Sequence, residues 1–374
     1  MTTKRSLLIL NERDPAHPRA GGAEIHVAAI FSRLAKRGHT IRQFSSGFEG
    51  SAPRETLSGV HIERVGPLVR YYASVPSRLL RARRLHEFDL VIECLNKIPF
   101  YAPLFFGRPV LALCHHLFGE VAFAQVGKPI AAAVWLSERF ISRAYHESRF
   151  IAISESSRDD LVARGISRNH IVVSHPGIER PQVEADLDAM RPPRVTYLGR
   201  LEAYKRVDLL LHAASRLIDR FPDLEILVIG RGPERARLER LAKRLGLASR
   251  TRFTGFVSDA ERDALLATTR ACAFPSEKEG WGLTVIEANA LGTPVVASDA
   301  PGLRDSVRNG ETGLLVRPGD AEAMAEALAR LLEESAFSAQ MQRAAHAWSQ
   351  RFDWDRAADD MESAIEQTID EWQS

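Results

Sequence analysis

Two α/β domains, each a doubly wound parallel sheet and facing each other across a central cleft, are what this sequence predicts. Three observations carry that expectation. A chain of 374 residues is too long for one ordinary core, so two domains of about 150–200 residues are expected. Short apolar runs alternate with helix-periodic stretches along most of its length, the pattern of strand–helix–strand units. The alternation also breaks once, at the polar, proline-bearing segment ERPQVEADLDAMRPP (179–193), and then begins again; that segment reads as a linker.

The first series of strands is SLLIL (6–10), TIRQF (40–44), DLVIE (89–93), PVLALC (109–114), FIAIS (150–154) and HIVVS (170–174). EIHVAAIFSRLAKRG (24–38) has helical periodicity and closes on Gly38, a residue suited to a C-cap. ESSRDDLVARG repeats that pattern after the fifth strand. The second series is RVTYLG (194–199), LEILVIG (224–230), TRFTGF (251–256), ACAF (271–274) and TPVVAS (293–298). VDLLLHAASRLIDRF and PERARLERLAKRLG supply helices between them, the latter with Pro233 as a first helical residue. Domains are therefore expected over 1–180 and 190–350. Ligands of such sheets sit at the carboxyl ends of the strands, which makes the cleft the expected site.

Composition narrows the setting. Cys94, Cys114 and Cys272 lie far apart in apolar runs, with neither metal spacing nor a disulfide framework, so a reducing cytoplasm is expected. The apolar run LLIL of the N-terminus ends at Asn11 and reads as a first strand, and no run approaches the ~20 apolar residues of a membrane span. Net charge is only +2, yet residues 1–180 carry +9 and residues 181–374 carry −7. A basic half beside an acidic half suggests an anionic partner for one of them; scattered solvated charge is the equally weighted alternative.

Four constellations are candidates for chemistry. EKEGWGLTVIEANALGTPVVAS sets Glu279 and Glu287 eight positions apart, across a glycine-bearing turn and into the start of a helix. Such a turn exposes backbone N–H groups to an anion or a sugar hydroxyl, and the two carboxylates lie on roughly one side, which suits an elongated polyhydroxylated ligand. The same spacing also suits a solvated turn glutamate and a structurally paired helix glutamate. In GRLEAYKR, Arg200 and Lys205 follow a strand and precede a helix. A guanidinium fork and an ammonium point charge together fit a pyrophosphate, although a solvated basic loop is the commoner meaning of two such cations. Arg206 and Tyr204 read as packing or rim residues. The first loop, NERDPAHPRAGGAE, brings Gly21 and Gly22 to a helix N-terminus, where close backbone approach favours an anion, without the G-x-G-x-x-G spacing of a dinucleotide site. His115–His116 close the fourth strand, where an imidazole either meets a ligand or packs in a loop. A metal site is disfavoured, because no carboxylate or third histidine has matching spacing.

Taken in order along the chain, these residues resemble the retaining, nucleotide-sugar-dependent glycosyltransferases of family 4, which have the two-domain GT-B fold with Rossmann-like halves. The resemblance rests on E-x7-E at Glu279 and Glu287, G-R-L-x-x-x-K from Gly199 to Lys205, the Gly21–Gly22 loop, His115, and FDWDRAA (352–358). It implies an acceptor-binding N-terminal domain, a donor-binding C-terminal domain, and a last helix (351–374) that returns to the first domain. Arg200 and Lys205 would hold the donor's diphosphate, Glu287 the ribose and Glu279 the transferred sugar. Backbone at Gly280, Trp281, Gly282 and Leu283 would help to hold sugar and phosphate, and Gly199 belongs to the same donor site. The nucleobase would rest near Phe256 and Val257, and His115 would line the sugar site near its reactive carbon. The aspartates of FDWDRAA and of DLD (186–188) are expected to be structural, FDWDRAA as a helix cap. His116 stands where many members have an aspartate, and Asp305 where a glutamate is common.

The resemblance implies sugar transfer from a nucleoside diphosphate, such as a UDP- or GDP-sugar, to an acceptor hydroxyl, with retention and with no cofactor or metal. The acceptor is expected to be a glycan, a lipid-linked molecule or a small molecule, in polysaccharide or other glycoconjugate synthesis. The arginine-rich stretches 68–87 and 135–149 suit either a wet helix face or peripheral contact with the inner membrane face. Nucleic acid is disfavoured, since the basic residues lack interleaved aromatic platforms. A non-catalytic nucleotide-sugar binder, or an epimerase or phosphorylase of the same architecture, is the alternative.

Overall fold

The computed structural model describes residues 3–95, 98–117, 119 and 127–374. They form two units: the chain up to Gly177 with Asp353–Ser374, and Ile178–Phe352.

The first unit is organised by β1 (Ser6–Leu10), β2 (Thr40–Ser45), β3 (Arg54–Leu57), β4 (Val60–Arg64), β5 (Leu90–Cys94), β6 (Val110–Cys114), β7 (Arg149–Ala152) and β8 (Ile171–Val173), in the order β3-β4-β2-β1-β5-β6-β7-β8. Among the described residues every neighbouring pair is parallel except β3–β4. Leu7, Leu8 and Ile9 of β1 are completely buried, as a central strand covered on both faces requires. Parallel strands need crossovers: the helix Gly22–Lys36 joins the neighbours β1 and β2, and the helix Leu68–Leu85 carries the chain from β4 across to β5. Tyr71, Val75 and Leu79 of the second helix pack with Leu8, Val91 and Ala112 in one core.

The β3–β4 hairpin was not expected from periodicity. It turns on Ser58 and Gly59, both with positive φ (49° and 87°), the requirement of a two-residue type I′ hairpin. The second unit holds β9 (Arg194–Leu198), β10 (Glu225–Ile229), β11 (Thr251–Gly255), β12 (Ala271–Phe274), β13 (Val295–Ser298) and β14 (Gly313–Val316), all parallel, in the order β11-β10-β9-β12-β13-β14. The order reverses between β9 and β12, so the loops leaving these two strands flank the switch point where open α/β sheets bind ligands. β14 was also unexpected, and the helix expected at Pro233 starts at Arg235.

Two expectations change. The segment 179–193 is no free linker: Arg191 is buried and donates to the carbonyls of Thr269 (3.1 Å) and Leu291 (2.7 Å) and to Thr293 Oγ1 (2.8 Å). The charge asymmetry also has an internal origin. Residues 353–374 hold eight carboxylates and one arginine, net −7. Their helix, Trp354–Gln373, belongs to the first unit and pairs with its cations: Arg5 with Glu366 (Nε–Oε1, 3.0 Å), Arg33 with Asp355 (3.0 Å), and Arg37 with Glu362 (2.6 Å) and Asp359 (2.7 Å). Counted by unit, the first carries +2 and the second, with 25 of each sign, is neutral. The anionic partner of the basic half is its own C-terminal helix.

Candidate active site

In the second unit the two sequence motifs meet because their strands are neighbours. Loop 199–206 leaves β9 and turn 275–282 leaves β12. They are tied by Glu277 N–H to the Tyr204 carbonyl (2.9 Å) and by Arg206 Nη1 to Glu277 (2.9 Å). Across this seam Lys205 Nζ donates to both oxygens of Glu279, at 2.5 and 2.6 Å. The tyrosine between the cations serves both. Its hydroxyl accepts from Arg200 Nη2 (3.1 Å) and its ring lies 5.1 Å from the Lys205 ammonium. Arg200 keeps about half its side chain in solvent (51%), while its carbonyl accepts from the buried Tyr197 hydroxyl at 2.8 Å. The result is a partly buried cation balanced by a carboxylate beside a more exposed guanidinium.

Close backbone approach shapes the same edge. A Cβ on Gly230, after β10, would lie 1.9 Å from the Gly199 carbonyl oxygen, so Gly199 and Gly230 bring two strand ends together as only glycine allows. On the other side Glu279 N–H donates to the Pro301 carbonyl (3.0 Å), and a Cβ on Gly302 would come within 2.4 Å of the Glu279 carbonyl. Gly282 takes a left-handed conformation (φ 94°) and starts the helix Leu283–Ala290, which carries Glu287 on its second turn. Glu287 is held by Arg262 (3.4 Å), itself fixed by Asp259 (2.9 Å) and Asp263 (2.8 Å). Burial raises the Glu287 pKa and Arg262 opposes that rise.

The structure thus gives the two glutamates different cations, Glu279 with Lys205 and Glu287 with Arg262. Gly280 and Leu283 are half-buried in the turn, whereas Trp281 is 2% exposed and packs edge-on against Phe352, with ring centroids 5.1 Å apart. Its indole is packing inside this unit, and only its backbone remains a candidate for ligand contact. Phe256, after β11, is 72% exposed, with the Arg231 guanidinium 5.4 Å above its ring; Val257 beside it is partly buried. Arg231 lies in the loop GRGPE (230–234) that leaves β10.

In the first unit Gly21 precedes the helix Gly22–Lys36, and its N–H donates to the Glu24 carboxylate (2.7 Å). The loop before it is fixed by Asp14, buried in a bidentate pair with Arg64 (2.8 and 3.0 Å). Asp14→Ala removes the buried carboxylate of the Arg64 guanidinium and leaves it the half-exposed Glu55 (2.8 Å) and the Ala52 carbonyl (2.9 Å). It should therefore cost about 3 kcal/mol, the low end for breaking a buried pair, seen as a lower melting temperature. An unchanged melt contradicts this account of the loop. His115 closes β6 and is 2% exposed, with its Nε2 3.0 Å from Nδ1 of His26 on the first helix. Burial, then His116, pushes the His115 pKa down to about 3, so its imidazole is neutral at ordinary pH.

His26 and Arg262 were not singled out in the sequence, and Tyr204 was read there as a packing or rim residue. His26 falls among Val27, Ile30 and Phe31 on the buried face of its helix and reads as core. Tyr204 lies between the two cations, which was its signal. The aspartates expected to be structural are so placed: Asp353 caps the last helix (2.8 Å to Arg356 N), and Asp186 accepts from the N–H groups of Asp188 and Ala189 (both 3.0 Å).

Residues 180–348 match the model of the glycosyl transferases group 1, and residues 20–180 that of Glycosyltransferase Family 4. The D-inositol 3-phosphate glycosyltransferase of Rhodococcus opacus is 32% identical over 92% of this chain and 85% of its own. Its counterpart in Streptomyces avermitilis is also 32% identical, over 92% and 82%. Among solved structures, the sucrose-phosphate synthase of Thermosynechococcus elongatus is similar at TM-score 0.80 and 23% identity, over 97% of this chain and 99% of that one. Anabaena HepE in complex with UDP-glucose is similar at 0.76 and 21%, over 98% and 100%. The architecture is therefore that of the GT-B glycosyltransferases. The chain belongs to glycosyltransferase family 4 and is a glycosyltransferase.

Proposed function

We propose that the protein transfers a sugar from a nucleoside diphosphate sugar to an acceptor hydroxyl, with retention and without a metal. The observation that carries this reading is the Lys205–Glu279 pair beside Arg200 at the carboxyl edge of β9 and β12. Lys205 and Arg200 neutralise the departing diphosphate, a service that a metal performs elsewhere. Glu279 holds Lys205 in place and meets the sugar, Glu287 meets the ribose, and exposed Phe256 offers a face to the nucleobase. The UDP-glucose bound to the structural relative HepE supports a nucleotide-sugar donor. Gly199, Gly280, Gly282 and Leu283 contribute close backbone.

The bond from the anomeric carbon to the β-phosphate oxygen breaks, and its electron pair stays on that oxygen. The acceptor oxygen bonds to the same face, and its proton passes to the departing phosphate. Glu279, neutralised by Lys205, is a poor nucleophile for a double displacement, so catalysis rests on orientation and on stabilising the departing charge. Proton NMR of the product tests the stereochemistry: an α-linked donor gives an α-linked product, and a β-linked one contradicts the mechanism.

The acceptor is proposed to be membrane-borne and reached from the cytoplasmic face. Support comes from exposed apolar side chains among arginines: Val69 (82% exposed), Leu80 and Leu85 with Arg70, Arg81 and Arg84 on the helix Leu68–Leu85, and Ile130, Leu136 and Phe140 with Arg139 near the helix Lys128–Glu138. No helix among the described residues is long and apolar enough to cross a membrane. The inositol phosphate in the relatives' names makes a soluble phosphorylated polyol the competing acceptor. Co-sedimentation at low salt should favour anionic over neutral vesicles; equal binding to both removes the membrane reading and leaves the polyol.

A further inference from the structure

We infer that His26 is a positioning residue that holds His115 as a neutral imidazole protonated on Nδ1. Its functional part rests on the reading of His115 as a sugar-site residue; the protonation pattern does not. At 3.0 Å, His26 Nδ1 and His115 Nε2 share one proton, because two lone pairs or two N–H groups repel at that distance. Burial lowers both pKa values, His26 further below its ordinary value by proximity to His115, so both rings are neutral.

Two arrangements then remain. If His115 Nε2 carries the shared proton, His26 must be protonated on Nε2. That atom is buried and meets no hydrogen-bond partner among the described residues. The nearby Trp354 ring, at 5.8 Å and tilted by 37°, is not presented perpendicular to it as an N–H acceptor would be. If His26 Nδ1 carries the proton instead, the unmatched atom is a lone pair. Orphaned buried N–H groups are rarer than under-satisfied acceptors, so the second arrangement is favoured. His26 donates, His115 Nε2 accepts, and the proton of His115 sits on Nδ1.

His115 is thereby a hydrogen-bond donor without charge. Beside an anomeric carbon that becomes positive, a neutral donor can bind a sugar oxygen without the repulsion an imidazolium would add, as a neutral histidine electrophile does in other enzymes. Two orienting features of the fold make this possible: the start of the first helix places His26, and the end of β6 places His115.

Nitrogen-15 NMR of the histidine-labelled, ligand-free protein tests the pattern directly. His26 Nδ1 and His115 Nδ1 should be pyrrole-type and His115 Nε2 pyridine-type between about pH 5 and 8. A pyrrole-type His115 Nε2 overturns the inference. His26→Asn keeps an amide donor in place of Nδ1, whereas His26→Asp has the same shape and only accepts. His26→Asn should keep kcat within about threefold, and His26→Asp should lower kcat about 10²-fold with little change in KM, against about 10⁴ for tautomer inversion in a serine protease triad. Equal melting of the two variants shows that the loss is not unfolding. Retained kcat in His26→Asp overturns the positioning role. Normal turnover in His115→Phe, with the expected nitrogen pattern, removes the sugar-site reading of His115 instead.

Discussion

Lys205→Ala or Arg200→Ala should lower turnover at least about 10²-fold, the scale of losing one stabilising donor. The two losses should differ in kind. Lys205 is enclosed between Glu279 and the Tyr204 ring, so its removal also leaves the Glu279 carboxylate partly buried beside the incoming diphosphate. That adds repulsion, and binding of the free nucleoside diphosphate should weaken with turnover. Arg200 is half in solvent, with its guanidinium against the Tyr204 hydroxyl (3.1 Å) and 4.0 Å from Glu202, so Arg200→Lys keeps charge but loses the fork and should recover only part of the rate. Steady-state kinetics of the three variants, with calorimetric titration of nucleoside diphosphate, measure both effects. Near-normal turnover in both alanine variants contradicts the assignment.

Gly302→Ala should be strongly damaging for a single added methyl beside this site. Gly302 has φ 80°, and the added carbon would meet Glu279 O at 2.4 Å, Glu279 C at 2.7 Å and Gly280 C at 2.9 Å, all of them backbone. Left-handed strain and overpacking together cost about 2–5 kcal/mol. For a unit of this size that is a melting shift of about 5–15 °C, read as loss of the second unit's transition. The backbone it displaces carries Glu279, so donor affinity should fall as well. A melt within a degree of the wild type contradicts the packing described here.

How much of this was readable in the sequence depends on the range of each interaction. β1 was legible because SLLIL is apolar at nearly every position and bounded by polar residues. The hairpin Arg54–Arg64 was not, although Ser58–Gly59 is a two-residue turn signal, because β3 is an exposed edge strand without an apolar face. β14 was missed for a different reason: GLLV is apolar, but it is a four-residue edge strand without alternation, and three of its residues are only partly buried. Glu279, Lys205, Arg200 and Glu287 were recognisable as types at set spacings. The pairing of Lys205 with Glu279 spans 74 positions and follows from β9 and β12 being neighbours, which local patterns do not encode. His26 was hidden by its apolar neighbours, and the charge asymmetry misled because the C-terminal helix that neutralises the first unit is distant in sequence.

One measurement bears most directly on the central claim that the second unit clamps a nucleotide-sugar donor. The protein is incubated with a panel of UDP-, GDP- and other nucleotide sugars, with and without an acceptor extract, and the released nucleotide is identified by mass spectrometry. Release of nucleoside diphosphate from one donor, faster with acceptor and abolished in Lys205→Ala, is the predicted result. Release from none of the panel, or release of nucleoside monophosphate with sugar phosphate, would contradict it.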